Sequence, residues 1–373
     1  MAELKRLIIS CGGTGGHFFP GLSIARTFKK QGGEVKLLLS GKNSVSQAQC
    51  AAGFGIDAVA LPPMPPSWKR HPLAFLSGLF KGYLVSLRVM KEFEPQAVLG
   101  MGSFTMAPVF LAGLKCRVPL FLHDGNARIG KGNRIFSRFS KLLGAGFPPV
   151  NADKCRCPVI DAGMPVRPEL LENSAVSRQE ALKFLRDTFG GDLDDERVTI
   201  LIFGGSQGAA IFNSILPQAL LRLKDASIQV LHLCGKGKKA EAEQLYCNAA
   251  FPVLLLESSD RMEYFLGAAD VVFSRSGGST LAELALFGKG AYLIPYPYAA
   301  EGHQQDNAEY FERNGAAMII RNEEFSVEKA FELLEREVCS DRSALAVRGR
   351  AAASLARPDA SERMLREIAA IIR

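Results

Sequence analysis

Short unbroken apolar runs recur along this chain, each followed by small residues and then by an amphipathic stretch. In the first half they fall at 7–9, 35–39, 97–99 and 119–122. In the second half they fall at 198–203, 229–233, 253–256, 271–273 and 291–294. Continuous rather than alternating apolarity is what parallel strands show when helices cover both faces of their sheet. The pattern predicts an α/β protein of two doubly wound (Rossmann-like) parallel-sheet domains. The halves meet around Asp161-Ala162-Gly163-Met164-Pro165-Val166-Arg167-Pro168, where two prolines and a glycine suit a hinge. The predicted domains are 1–163 and 164–345, with a C-terminal helical segment, 346–373, packing back toward the first. Two such domains imply a cleft, with ligands at the carboxyl ends of the strands.

The richest loop is Cys11-Gly12-Gly13-Thr14-Gly15-Gly16-His17-Phe18-Phe19-Pro20, between the first apolar run and an amphipathic stretch at 22–28. Its glycines let backbone N–H groups approach a ligand, and the helix that follows favours negative charge at its start. It is not the dinucleotide fingerprint, because Phe18 stands where glycine is needed and the second run ends in Ser40-Gly41-Lys42 with no acid. Nor is it a Walker A loop, since Gly41-Lys42, Gly235-Lys236 and Gly288-Lys289 all lack a following Ser or Thr. Taken alone, a tight ligand-free strand-to-helix turn is the alternative, the weaker of the two readings. The second half adds Gly204-Gly205-Ser206-Gln207-Gly208-Ala209 and the stretch from Ser274 to Glu283. Thr280 and Glu283 also have capping-box spacing, which needs no ligand; the pattern leaves both readings open. Three glycine loops after parallel strands point to a nucleotide-type ligand.

Composition narrows the partners. The chain has 373 residues, 47% of them apolar, and a net charge of +7 without long blocks of one sign. That suits anionic substrates or an anionic membrane surface, and offers no nucleic-acid module. The eight cysteines lack zinc spacing. Asp192-Leu193-Asp194 has the D-x-D form of metal-dependent glycosyltransferases, but it precedes a strand rather than following one and reads as a solvated loop. The uncharged stretch 95–114 nearly has the length of a membrane span. Its glycines and proline make strand, loop and helix the better reading. The N-terminal apolar run is far too short for a signal peptide.

The ordered motifs resemble those of the MurG family, peptidoglycan N-acetylglucosamine transferases of glycosyltransferase family 28 with the two-domain GT-B fold. They are Gly12-Gly13-Thr14-Gly15-Gly16-His17, Gly100-Met101-Gly102-Ser103-Phe104, His123-Asp124-Gly125-Asn126, Gly163-Met164-Pro165-Val166-Arg167, the Gly204 to Ala209 loop, Ser274 to Glu283, and His303-Gln304-Gln305-Asp306-Asn307-Ala308. Departures from the family pattern fall at Ser103-Phe104, where it commonly has Gly-Tyr, and at Asp124-Gly125, where it has Glu-Gln.

The resemblance implies an inverting transfer of N-acetylglucosamine from UDP-N-acetylglucosamine to the C4 hydroxyl of a lipid-linked muramyl-pentapeptide. On the donor side it implies that Glu283 holds the ribose hydroxyls, Ser206 and Arg167 the diphosphate, Ser259 the uracil through its backbone, and Gln304 the transferred sugar. Gly278, Ser279, Thr280, Leu281 and Ala282 line the same site. Thr14, Gly15, Gly16 and Asn126 lie on the acceptor side. His17 is the expected general base, its ordinary pKa being near neutrality. His123 is a lesser candidate, and His71 and His232 read as structural or surface residues. No metal or cofactor is expected, because helix N-termini, backbone N–H groups and Arg167 can stabilise the leaving diphosphate.

The resemblance also implies a peripheral site on the cytoplasmic face of the bacterial inner membrane, with cell-wall or division proteins as partners. In the stretch 68–83, which holds the sole Trp, Trp68, a helix from Leu73 is expected to expose Phe75, Leu79 and Phe80 to lipid, with Lys69, Arg70 and Lys81 meeting phosphates; packing of these apolar residues into the domain core is the alternative. The rival readings are a glycolipid glycosyltransferase, a UDP-N-acetylglucosamine 2-epimerase of the same fold, and a nucleotide-binding scaffold without catalysis.

Overall fold

Each predicted apolar run forms a strand. The computed structural model describes residues 4–65, 71–205, 208–223, 227–339 and 343–372. The described chain forms two compact units, one reaching to Arg167 and including the segment from Arg357 onward, the other Pro168–Ala356.

The first unit runs β1 (Arg6–Gly12), α1 (Gly15–Lys30), β2 (Glu34–Ser40), α2 (Ser44–Gly53), β3 (Asp57–Ala60), α3 (Pro72–Phe93), β4 (Ala97–Gly100), α4 (Ala107–Lys115), β5 (Leu120–Asp124), α5 (Lys131–Phe136), β6 (Leu142–Ala145) and β7 (Val159–Asp161). All its strands are parallel, in the order β3-β2-β1-β4-β5-β6-β7. Leu7, Ile9 and Cys11 of β1 enter one core with α1, while Ile8 enters a second core with residues of α3 and α4. Burial on both faces is why the run is continuous.

The second unit runs α6 (Pro168–Glu172), α7 (Arg178–Phe189), β8 (Val198–Phe203), α8 (Ala210–Leu220), β9 (Ile228–Leu233), α9 (Lys239–Leu245), β10 (Val253–Leu256), α10 (Met262–Ala268), β11 (Val271–Ser274), α11 (Gly278–Leu286), β12 (Ala291–Leu293), α12 (His303–Arg313), β13 (Ala317–Ile319), α13 (Val327–Cys339) and α14 (Ser343–Ser354). Its parallel order is β10-β9-β8-β11-β12-β13. The last helix, α15 (Ala360–Ile372), belongs to the first unit, where Met364, Leu365 and Ile368 join the core beside α1. The returning segment therefore begins near Arg357, later than residue 346, because α14 packs on α11 and β12. An Arg357–Asp161 ion pair of 3.6 Å ties the return to β7.

The edge strands β3, β7 and β13, and β6 next to an edge, went unread in the sequence. They have three or four residues each, too few to show a period. The stretch 95–114 is β4, a short turn and most of α4.

Among the described residues, α3 is the one helix long and apolar enough to cross a membrane by length and composition. Its buried face is small: Gly78 packs on Pro63 and Met64, Gly82 on Pro108, and Ser86 is fully enclosed. Its outer face carries Leu73 (82% exposed), Leu76, Phe80 (60% exposed) and Leu84. This corrects the expected stripe: Leu79 packs against the core and Phe75 is half-buried. Trp68, Lys69 and Arg70 lie outside the described residues.

Candidate active site

In the first unit the strand order reverses between β1 and β4, and both glycine loops leave the sheet there. Gly12 has φ +119°, and a Cβ on it would lie 2.6 Å from the Ser40 carbonyl oxygen, so only glycine fits. Gly15 and Gly16 form the first turn of α1. Thr14 occupies the N-cap position, yet its side chain makes no cap bond; Oγ1 lies instead 3.1 Å from Nδ1 of His17. The His17 ring rests against Gly102, where a Cβ would meet Cδ2 at 3.2 Å and Nε2 at 3.3 Å.

Ser103 stands at φ 68° and ψ 149°, a conformation that suits glycine, and its hydroxyl accepts from the N–H and O–H of Thr105. The departure from the family's glycine thus carries backbone strain.

His123 is not placed to act as a base. It is buried, its Nε2 lies 2.9 Å from the Gly163 carbonyl oxygen, and burial lowers its pKa. It ties the end of β5 to the hinge sequence. Asp124 organises the loop beyond: Oδ1 accepts from the Asn126 N–H, and Oδ2 from the Gly130 N–H (2.8 Å) and Asn133 Nδ2 (2.9 Å). Asn126 is half-exposed on this loop, its Nδ2 3.4 Å from Asp124 Oδ1. Asn133, which the sequence did not signal, faces Gly102 as His17 does, its Nδ2 3.5 Å from where a Cβ on that glycine would lie. Its buried Oδ1 finds no partner among the described residues. The guanidinium of Arg167 sits 5.7 Å over the ring of Phe19.

In the second unit the reversal falls between β8 and β11, and again both motif loops leave the sheet there. After β8 come Gly204 and Gly205, then Gly208 and Ala209 entering α8; Ser206 and Gln207 lie outside the described residues. After β11, Gly277 takes the N-cap of α11 without a side-chain cap. Of the two readings left open, the capping box is therefore absent: Thr280 lies inside the helix and Glu283 in its second turn, half-buried. Leu281 is fully buried, so its side chain belongs to the core, and Ala282 is half-buried. Gly278 begins the helix. The buried Ser279 Oγ has no partner among the described residues.

Gln304 is fixed from two sides. Its Oε1 accepts from the Tyr296 N–H at 2.9 Å, and its backbone carbonyl accepts from Ser276 Oγ at 2.7 Å. Arg275, another residue missed in the sequence, braces the same loop by donating to the carbonyls of Ile294 and Pro295 and to Asn322 Oδ1. Ser259 follows β10, its hydroxyl accepting from the Arg261 N–H.

The D-x-D sequence is a folded turn at the opposite, amino end of the sheet. Asp194 donates its N–H to Gln229 Oε1, and its carboxylate accepts from the Glu196 N–H. No group of three or more His, Cys, Asp or Glu among the described residues is placed to hold a metal ion. His71 is exposed, and His232 is fully buried.

Comparison with known proteins extends this geometry. The glycosyltransferase family 28 N-terminal domain matches residues 7–143 and the family 28 C-terminal domain residues 199–364. The chain is 34% identical over 367 residues to the UDP-N-acetylglucosamine–N-acetylmuramyl-(pentapeptide) pyrophosphoryl-undecaprenol N-acetylglucosamine transferase of Shewanella loihica, covering 98% of this chain and 96% of that one. It is 31% identical to the same-named protein of Desulforamulus reducens, covering 95% of each. Among solved structures it is similar to MurG of Acinetobacter baumannii, with a TM-score of 0.77 at 26% identity over 98% of this chain and 99% of that one. A UDP-GlcNAc 2-epimerase from Neisseria meningitidis shares the fold, with a TM-score of 0.68 at 16% identity over 97% and 99% of the two chains.

Proposed function

The chain belongs to the glycosyltransferase family 28 enzymes that transfer N-acetylglucosamine to N-acetylmuramyl-(pentapeptide) pyrophosphoryl-undecaprenol, and we propose how its residues share that work. The reaction takes N-acetylglucosamine from UDP-N-acetylglucosamine, a step of peptidoglycan synthesis. The epimerase shares only the fold with this chain. The observation that carries the residue assignments is that in each unit two family loops leave the sheet where the strand order reverses, the position at which such sheets bind ligands.

In this reading the second unit holds the donor. Glu283 accepts from the ribose hydroxyls, and the N-terminus of α11, with Gly278, Ser279, Thr280 and the backbone of Leu281 and Ala282, faces the nucleotide. The unpartnered Ser279 hydroxyl supports this, since a buried hydroxyl wants a partner. Ser259 meets uracil through its backbone. Ser206 and its glycine turn meet the diphosphate, and Arg167, the last residue of the first unit before the second begins at Pro168, is assigned to the diphosphate too; Arg supplies charge and fork geometry. Gln304 meets the sugar.

The first unit handles the acceptor. His17 takes the proton of the muramyl C4 hydroxyl as that oxygen displaces UDP with inversion, while Thr14, Gly15, Gly16 and Asn126 line the acceptor site. The charge that develops on UDP is met by backbone N–H groups, helix N-termini and Arg167.

The outer face of α3 supports membrane attachment. Leu73, Leu76, Phe80 and Leu84 present apolar surface, and Lys81 lies among them for lipid phosphates. Peripheral attachment at the cytoplasmic face follows from a nucleotide-sugar donor and a lipid-linked acceptor. Radiolabelled transfer from UDP-N-acetylglucosamine to purified muramyl-pentapeptide lipid, with chelator present, tests the reading. Labelled lipid product supports it, and donor consumption without lipid product contradicts it.

A further inference from the structure

The second unit contains a buried hydrogen-bond chain that the transfer reaction does not itself use. Tyr246, just past α9, places its hydroxyl 3.0 Å from Nδ1 of His232 on β9. Nε2 of His232 lies 3.1 Å from Oδ1 of Asn213, in the first turn of α8. Asn213 Nδ2 lies 2.9 Å from the carbonyl oxygen of Cys234, the residue after β9.

The directions of these bonds follow from the last. A carbonyl only accepts, so the Asn213 amide nitrogen faces Cys234 and its oxygen faces the ring. Nε2 of His232 therefore carries the hydrogen, and Nδ1 accepts from the Tyr246 hydroxyl. The imidazole is neutral, because burial pushes its pKa down to about 4. Ala242, Phe251 and Leu255 lie in the same core, where an apolar side chain would fit the surroundings of His232 without any need for partners. A polar chain that is satisfied link by link fixes one arrangement instead.

The end of the chain is where the glycine turn rests. A Cβ on Gly208 would lie 2.1 Å from the Cys234 oxygen and 2.8 Å from Gly235 Cα, so the turn crosses that carbonyl in direct contact. Moving the carbonyl moves the turn. Asn213 also sits on the helix that the turn opens, its N–H bonded to the Ala209 carbonyl at 3.1 Å.

We propose that Tyr246 and His232 are positioning residues for donor binding, acting through Asn213 and the Cys234 carbonyl to set the glycine turn at Gly205 and Gly208 against β9. This rests on the assignment of that turn to the donor diphosphate.

The test is calorimetric titration with UDP of the wild type, Tyr246→Phe, His232→Gln and His232→Leu, with donor and acceptor KM measured beside it. Tyr246→Phe removes one hydroxyl and leaves the core volume. His232→Gln keeps an N–H near the position of Nε2, and His232→Leu keeps none. A buried acceptor or donor left unmatched predicts UDP affinity about threefold to tenfold weaker in Tyr246→Phe and His232→Leu. The donor KM should rise in the same ratio, with acceptor KM within twofold of wild type. His232→Gln should fall between His232→Leu and wild type. Wild-type UDP affinity in a folded Tyr246→Phe, or equal rises in both KM values, would overturn the inference. A wild type that fails to bind UDP would overturn the donor-site assignment itself, which separates the two failures.

Discussion

Oγ1 of Thr14 lies 3.1 Å from Nδ1 of His17, in place of the cap bond its position at the head of α1 would ordinarily supply. If Nε2 is to accept a proton, the ring hydrogen must sit on Nδ1 and point at this oxygen. Thr14→Val removes the acceptor while keeping the shape. We expect kcat lower by about tenfold to a hundredfold with UDP affinity unchanged, and Thr14→Ser near wild type. Steady-state kinetics with UDP titration checks this.

Gln304 offers a sharper test of the sugar contact. Its Oε1 is committed to the Tyr296 N–H, so only the amide N–H groups are left to meet a ligand. Gln304→Glu keeps the bond to Tyr296 and loses those donors. The expected result is a donor KM about tenfold higher at unchanged melting temperature. An unchanged donor KM would remove Gln304 from the sugar site.

Ser103 is strained where the family commonly has glycine. Relief in Ser103→Gly should raise stability by about 1 kcal/mol, the loss of the hydroxyl bonds to Thr105 offsetting part of the gain. Chemical denaturation of the two proteins side by side measures it.

His232 also predicts a pH dependence. Its pKa is about 4 in the fold and about 6.5 in the unfolded chain. Between those values the unfolded chain binds the proton preferentially, so stability falls as pH drops from about 6.5 toward 4. At pH 5 the cost is about 2 kcal/mol. The stability lost between pH 7 and pH 5 should therefore be smaller in His232→Gln than in wild type by about that amount, as read by denaturant unfolding at each pH.

On α3, Leu76→Ser with Phe80→Ser should abolish flotation with vesicles rich in anionic lipid while transfer to a detergent-solubilised acceptor persists. Flotation equal to wild type would remove the attachment role from this face.

What the sequence could reveal followed from local physics. The runs at 7–9 and 198–203 are legible because both faces of each strand are buried, and the loops that follow them are legible because glycine is required at positions such as Gly12 and Gly208. What stayed hidden depends on contacts between distant residues. Asn133 comes to Gly102, the glycine that the His17 ring also faces, only because α5 packs there, and Arg275 braces the Tyr296 loop across the sheet end. Thr280 and Glu283 had the spacing of a cap, but Gly277 starts the helix before them. On α3, the pattern could not tell which side chains face inward; Gly82 packs on Pro108 of α4 and Gly78 on Pro63 and Met64, which leaves Phe80 outside.

The division of labour between donor grip and base is tested most directly by measuring UDP affinity and transfer rate together in His17→Ala. The account predicts UDP binding within about twofold of wild type and turnover lower by at least about a hundredfold. Near-normal turnover, or loss of UDP binding in step with turnover, would contradict it.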